Sequence, residues 1–464
     1  MLAADMTVAP EEFARQVIRE SESSLCIGAY ASEFQAHYVF ADAARGVYQL
    51  SHRLNAARRL HAVSGRLPAL AWDEREMAQD RAVAFESLPD SRPLWMHDAT
   101  MPQAILAQGE GLMHFVVGPV HAGIIEPGRF TFSSGGETVV HLDAQLGYAH
   151  RGVERSLEGK EPVAAARHVA RICGSCSAAR SSAYASALEQ LAEVTISDEA
   201  QLARVVLLEL ERVWNHLGDL AASSSGAGWN PGFTRGLALK ERALQLCAQV
   251  SGHRFLFDAV VPGGVSIRDL EITAAVQDLH TDIDAYLRSL FGNASVRSRW
   301  QQAGFLPHET ARACGAVGPT HRASCGRIDL RSYLSYGAYR QFALRPAHAR
   351  SGDALARCSV KRDELGESLR LIREALRKLG GRVPGVPLRM PALNGQATAA
   401  VEGPRGAEVV AVHVGSDGRL ERVHVIAASY RNWPLVARAM DGNIVPDFPL
   451  VNKSFNLCYA CADR

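Results

Sequence analysis

Apolar residues recur along this chain at two spacings, and the change of spacing divides it. In residues 1–100 the patterns are mixed. Glu11–Glu20 predicts an opening helix, and HYVFADAARGVYQL (37–50) reads as strand residues around a turn. A compact segment, ALAWDEREMAQD (69–80), follows, and the proline-containing SLPDSRPLWMHD (87–98) reads as a linker laid over a surface. Two apolar runs with strand character come next, GLMHFVVGPVHAG (111–123) and RFTFSSGGETVVHLDAQ (129–145), with Gly135-Gly136 offering a tight hairpin turn.

From about Val153 to Gly381 the spacing becomes helical. EPVAAARHVARI (161–172), SAYASALEQLAEV (182–194) and EAQLARVVLLELERVWNHLGDLAA (199–222) carry apolar residues three and four apart. VKRDELGESLRLIREALRKLG (360–380) ends at a Gly-Gly stop. The chain then returns to strands, with AEVVAVHVGSDGRLERVHVIAA (407–428) reading as a hairpin that turns at Asp417-Gly418. No repeat or low-complexity tract interrupts this order, and the fold class is α+β.

Length and composition narrow the function classes. At 464 residues there is enough chain for two or three domains and a large core. Apolar residues make up 47% and charged residues 21%, with a formal net charge of +1, so no global charge favours nucleic acid. The N-terminal residues lack a basic stretch followed by an apolar one, which argues against a secretory signal. No run reaches the roughly 18 apolar residues of a membrane span. The most apolar helical stretch, 201–222, is broken by Arg204, Glu209, Glu211, Arg212 and Asn215. The expectation is a cytoplasmic protein able to dock on a membrane complex.

Nine cysteines, an odd number, argue against a disulfide framework. Five are isolated and are expected to be buried small hydrophobes. The other four form two CxxC pairs, Cys173/Cys176 and Cys458/Cys461. A CxxC presents two sulfurs on one turn, and thiolates select zinc, nickel, copper(I) or iron–sulfur chemistry. Spacing leaves three readings open: a structural zinc, a functional metal, or unrelated thiols. Zinc ribbons place their pairs within a few tens of residues, whereas 282 positions separate Cys176 from Cys458.

The surroundings of the pairs add more. RICGSC (171–176) resembles the first metal-binding motif of NiFe-hydrogenase large subunits, and CYACADR (458–464) resembles the second. GPVHAGIIEPGRF, GYAHRGVE, GPTHRASCGRIDLR, GDALAR, VEGPRG and GNIVPDFPLVNKSFN resemble the energy-converting branch of that family, of the formate hydrogenlyase and hydrogenase-4 type, which is related to complex I. WDEREMAQD and LPDSRPLWMHD resemble the 30 kDa-type subunit of complex I, fused ahead of a 49 kDa-type region. The resemblance implies a small α/β domain over 1–98. A large, mainly helical domain with peripheral β-hairpins would follow over 99–464.

The resemblance also implies a site. Cys173 and Cys458 would be terminal nickel ligands, while Cys176 and Cys461 would bridge nickel to an iron carrying CO and cyanide. Glu126, in IIEPGRF, matches the proton-relay glutamate, though its residue context alone also fits a solvated position beside the Pro127-Gly128 turn. Arg405, in GPRG, matches the arginine above the iron, where a guanidinium could hold cyanide; it equally suits a loop before the hairpin. His121, His150 and Arg151 fall in motifs shared with the 49 kDa-type subunit and read as supporting or interface residues, and Asp329 and Arg331 as packing near the site.

Three positions depart from the hydrogenase pattern. Arg180 stands where a histidine is usual, Asn456-Leu457 replaces Asp-Pro, and Arg129 takes the place of another histidine. Arg180 can donate hydrogen bonds but cannot act as a neutral acid or base. The implied activity is interconversion of H2 with protons and electrons. Implied partners are a small iron–sulfur subunit, a ferredoxin-like subunit, membrane-arm subunits and metal-insertion maturation proteins, on the cytoplasmic face of the inner membrane. Two other readings are a complex I-like subunit whose site serves a quinone or another acceptor, and a scaffold whose cysteines hold zinc or nothing. No GxGxxG follows a strand, so any NADH link would run through another subunit.

Overall fold

The structure is a computed structural model describing residues 5–6, 8–96, 101–121 and 125–464. It begins with a helix, Pro10–Ser23, packed on an antiparallel run of strands, Leu25–Ala31, Gln35–Asp42 and Gly46–Arg53, paired in sequence order. Phe13, Val17, Tyr38 and Phe40 fill the space between them. The compact segment at 69–80 becomes the helix Ala71–Arg81. Residues 87–96 then run irregularly across the next part of the molecule, burying Leu94 and Trp95 in its core. The boundary expected at 98/99 lies outside the described residues.

Next comes a three-stranded antiparallel sheet, Leu112–Val117, Arg129–Gly135 and Thr138–Gln145. Its hairpin turns on Gly136-Glu137, one residue beyond the expected Gly135-Gly136, because Gly135 still pairs with Thr138. Gly136 takes φ +63°, a conformation glycine adopts without strain.

The helical centre follows the expected order. Pro162–Ala170 leads to the first cysteine pair, and Ser177–Leu191 starts directly after it. The long helices Asp198–Gly226, Asn230–Ser251 and Ala354–Leu379 form the main core, with the first packed against both others. Asp198–Gly226 starts at Ser197, whose side chain accepts from the Ala200 amide. Ala354–Leu379 stops at Gly380 in the left-handed conformation.

A second antiparallel sheet closes the fold in the order Gly395–Gly403, Gly406–Val414, Leu420–Ile426. The 407–428 hairpin is as expected; the strand preceding it was not. Together they place Pro404-Arg405 at a tight turn between two buried strands rather than in an open loop. Helices Ala428–Met440 and Phe448–Phe455 then carry the chain to the second cysteine pair. A separate apolar cluster joins Ile27, Tyr30 and Val39 of the first sheet to Val409, Ala411 and Ile426 of the last. No helix among the described residues is long and apolar enough to cross a membrane.

Candidate metal centre

The two cysteine pairs meet. Cys173 Sγ lies 3.0 Å from Cys458 Sγ, and the sulfurs of Cys173, Cys176 and Cys461 all fall within 4.8 Å of one another. Two thiolates on one ion, each about 2.3 Å from it, stand at most about 4.6 Å apart. The set therefore has the span of a shared metal site. A 3.0 Å contact is also far longer than the roughly 2.05 Å of a disulfide. Cys173, Cys176 and Cys461 are buried and Cys458 is half-buried. Hydrogen bonds from Cys176, Cys458 and Cys461 hold Cys173 well below the usual thiol range, while donation to Cys173 pushes Cys176 and Cys458 up. Metal binding to such a set displaces protons.

Local structure explains the convergence. Cys173–Cys176 is a single turn between two helices, and Glu211, on the long helix Asp198–Gly226, accepts from the amides of Ala178 (2.6 Å) and Ala179 (3.0 Å) just beyond it. Burial pushes the Glu211 carboxyl up to about 8 against the pull of those amides. Asn215, one turn on, donates to Ser175 O at 2.9 Å. On the other side, Ser429 accepts from the Cys458 amide (3.1 Å) and Trp433 donates to Cys458 O (3.2 Å). Arg151 ties the pairs together, donating to Ile172 O (2.7 Å) and Ala460 O (2.9 Å).

Arg180 is fully buried, donating to Glu408 at 2.8 Å and to Cys461 Sγ at 3.3 Å. The departure from histidine thus places a permanent cation on one thiolate, with Glu408 balancing it. Arg405 is 6% exposed and held by three acceptors: Asn456 O (2.5 Å), Asn215 Oδ1 (2.6 Å) and Asp219 (3.2 Å). Two of its five N–H donors remain, and it borders a small enclosed cavity with Thr320, Lys361, Pro404 and Leu457. The Asn456 amide also bonds Asp219, and Lys361 lies 2.8 Å from the same carboxylate. Asp219 and Lys361 occupy the side of the site where Asn456 has replaced a carboxylate.

Glu126 is half-buried, and its charge is felt at both Tyr459 and Asp463, which flank Cys461. Two residues on, the backbone runs against the same ring: a Cβ on Gly128 would meet the Tyr459 ring at 2.6 Å. His121 is exposed and its ring centroid lies 6.3 Å from that of Tyr459, while His150 stacks on Trp95 at 3.9 Å. Asp329 and Arg331 pair at 2.7 Å inside a buried charge network with Glu209, Arg322, Glu364 and Glu402. Of the isolated cysteines, Cys247 and Cys358 are buried as expected, Cys26 and Cys314 partly so, and Cys325 is exposed.

The sequence reading missed Glu211, Asn215, Asp219, Lys361 and Glu408. One signal was present for the first three: Glu211, Asn215 and Asp219 recur four apart within the largely apolar stretch 205–222. Polar positions so placed are buried and partnered rather than solvated.

Comparison with known proteins relates most of the chain to respiratory and hydrogenase families. The family described as "Respiratory-chain NADH dehydrogenase, 49 Kd subunit" matches residues 227–391 and 386–464, and "Nickel-dependent hydrogenase" matches residues 151–218. Formate hydrogenlyase subunit 5 of Escherichia coli is 28% identical over 87% of this chain and 76% of its own length. Hydrogenase-4 component G of the same organism is 28% identical over 88% and 76%. A chain in the structure of an archaeal respiratory complex, the membrane-bound sulfane sulfur reductase, superposes with a TM-score of 0.70. That chain is 25% identical and is aligned over 76% of this chain and 99% of its own length. The chain belongs to the family of the respiratory-chain NADH dehydrogenase 49 kDa subunit, in the branch of the energy-converting NiFe-hydrogenase large subunits.

Proposed function

We propose that this chain is the large subunit of a membrane-associated NiFe hydrogenase complex that interconverts H2 with protons and electrons. The observation that carries the reading is the meeting of four cysteine sulfurs from two distant pairs in a buried site beside Arg405. The residues fit a nickel–iron centre: Cys173, Cys176, Cys458 and Cys461 would hold the metals, and the free donors of Arg405 would hold cyanide. When bound, that centre supplies the two-electron chemistry of splitting H2.

The chain's own residues do the rest. Glu126 is the base that receives a proton from the site and passes it outward past Tyr459 and Asp463. Arg180 donates to the Cys461 sulfur, and Arg151 and Glu211 hold the two pairs in register. Electrons leave to a small iron–sulfur subunit, with ferredoxin-like and membrane-arm subunits completing the complex at the cytoplasmic face of the membrane. Maturation proteins insert the metals. Residues 1–98 form the 30 kDa-like domain and 99–464 the hydrogenase-like one; the two E. coli relatives align over more of this chain than the archaeal structure does.

A second reading, a complex I-like subunit serving another acceptor, draws on Arg180 and Asn456 beside the cysteines and on the fold shared with a sulfane sulfur reductase. Dye reduction separates the two. The complex purified with its partners should reduce a viologen with H2, and Cys176→Ser should abolish this. A metal-loaded complex that never consumes H2 would favour the second reading.

A further inference from the structure

The helix Ala71–Arg81 is highly charged, yet Asp73, Glu74 and Glu76 are at most 2% exposed. Glu74 faces its own sheet, accepting from Val63 N (2.8 Å), Ser64 N (3.1 Å) and Tyr38 OH (3.0 Å). Asp73, Glu76 and Asp80 stand three and four apart and therefore share another face. Each meets a buried arginine from the end of the sequence: Asp73 meets Arg431 (3.0 Å), Asp80 meets Arg422 (2.7 Å), and Glu76 meets Arg464.

The last pair is the telling one, because Arg464 lies three residues beyond Cys461. Its guanidinium is 1% exposed, pairs with Glu76, lies 3.4 Å from Glu154, donates to Val425 O and stacks over the Tyr430 ring at 4.5 Å. Glu76, Glu154 and His424 bring ligand atoms within 4.8 Å of one another, a spacing that would suit a cation. Arg464 is that cation. Backbone bonds from the Arg151 amide to Asp463 O (3.0 Å) and Arg464 O (3.2 Å) fix the same segment.

We infer that the helix Ala71–Arg81 is a receptor for the segment following the second cysteine pair: Glu76, with Glu154, captures Arg464 and so holds Cys458 and Cys461 against Cys173 and Cys176. This rests on reading the four cysteines as a metal centre. A guanidinium enters an apolar interior only when its charge is met. Three residues of chain span at most about 10 Å, so the captured arginine limits where Cys461 can sit. Glu76 and Arg464 are positioning residues and touch no sulfur.

The test compares the assembled complex with its Glu76→Gln, Arg464→Gln and doubly substituted forms. Hydrogen exchange of amides 459–464 is followed together with metal retained after a chelator challenge. Each single substitution should speed exchange at least tenfold and lower retained metal, the double should be no worse than either single, and Arg464→Lys should fall between. Unchanged exchange at 459–464 in the substituted forms overturns the proposal. So does an additive double, or faster exchange confined to 71–86. A parent complex without metal overturns the metal reading only, and the exchange measurement then decides the capture by itself.

Discussion

At the scale of single residues, the centre is defined by charges in places where charge is costly. Arg180 and Glu408 are both fully buried, and among the described residues each is the other's only partner of full opposite charge, beside the Cys461 sulfur on Arg180 and the Ala428 amide on Glu408. Arg180→Gln should lower the unfolding free energy by about 3–5 kcal/mol, the cost of stranding a buried partner, and Arg180→Gln with Glu408→Gln should recover most of it. Denaturant titration of the four forms measures this; equal losses in single and double variants would contradict it. Glu126 makes the opposite case, being half-buried beside Tyr459 and Asp463. Glu126→Gln should leave metal content unchanged and cut H2-dependent turnover by roughly 100-fold or more. Unaltered turnover would remove Glu126 from the proton route.

At the scale of elements, the position of Arg405 depends on two glycines. Gly406 has φ +126°, and a Cβ there would meet Gly318 N and Val317 Cγ2 at 2.7 Å. Gly318 has φ +62°, and a Cβ there would meet the Arg405 carbonyl at 2.4 Å. The GPTHR and GPRG segments therefore touch backbone to backbone, and Arg405 points from the contact. Gly318→Ala should cost about 2–3 kcal/mol through overpacking and left-handed strain. It should also lower metal retention, as read by melting and metal analysis; a variant equal to the parent in both would refute the packing role. In the sequence these glycines were legible only as motif letters. The surface that needs them pairs residues about ninety positions apart, which no local pattern reports.

At the scale of the molecule, Tyr30 OH meets His413 Nε2 at 2.8 Å, joining the first sheet to the last. Burial, with Arg422 and His424 nearby, pulls His413 down to about 4. The folded form then binds fewer protons than the unfolded form, whose histidine titrates near 6.5. Stability from this group is complete above that value and falls as pH drops toward 4, by about 3 kcal/mol. His413→Gln should flatten that acid limb in melting curves taken between pH 7 and 4; an unchanged limb would assign it to other groups.

Much of this architecture could be read beforehand. Helix and strand order followed from periodicity, and the cysteine pairs announced a shared site. The strand Gly395–Gly403 escaped notice because its alanines and glycines carry little strand signal. The acid–arginine face of Ala71–Arg81 escaped because an ionic interface looks like a solvated one until both sides are placed.

The central claim is that the four cysteines hold a nickel–iron centre. Its most direct test is metal analysis joined to infrared spectroscopy of the complex purified with its partner subunits. The expected result is nickel and iron together, with bands from metal-bound CO and cyanide that vanish in Cys461→Ser. Zinc alone, with no such bands, would contradict it.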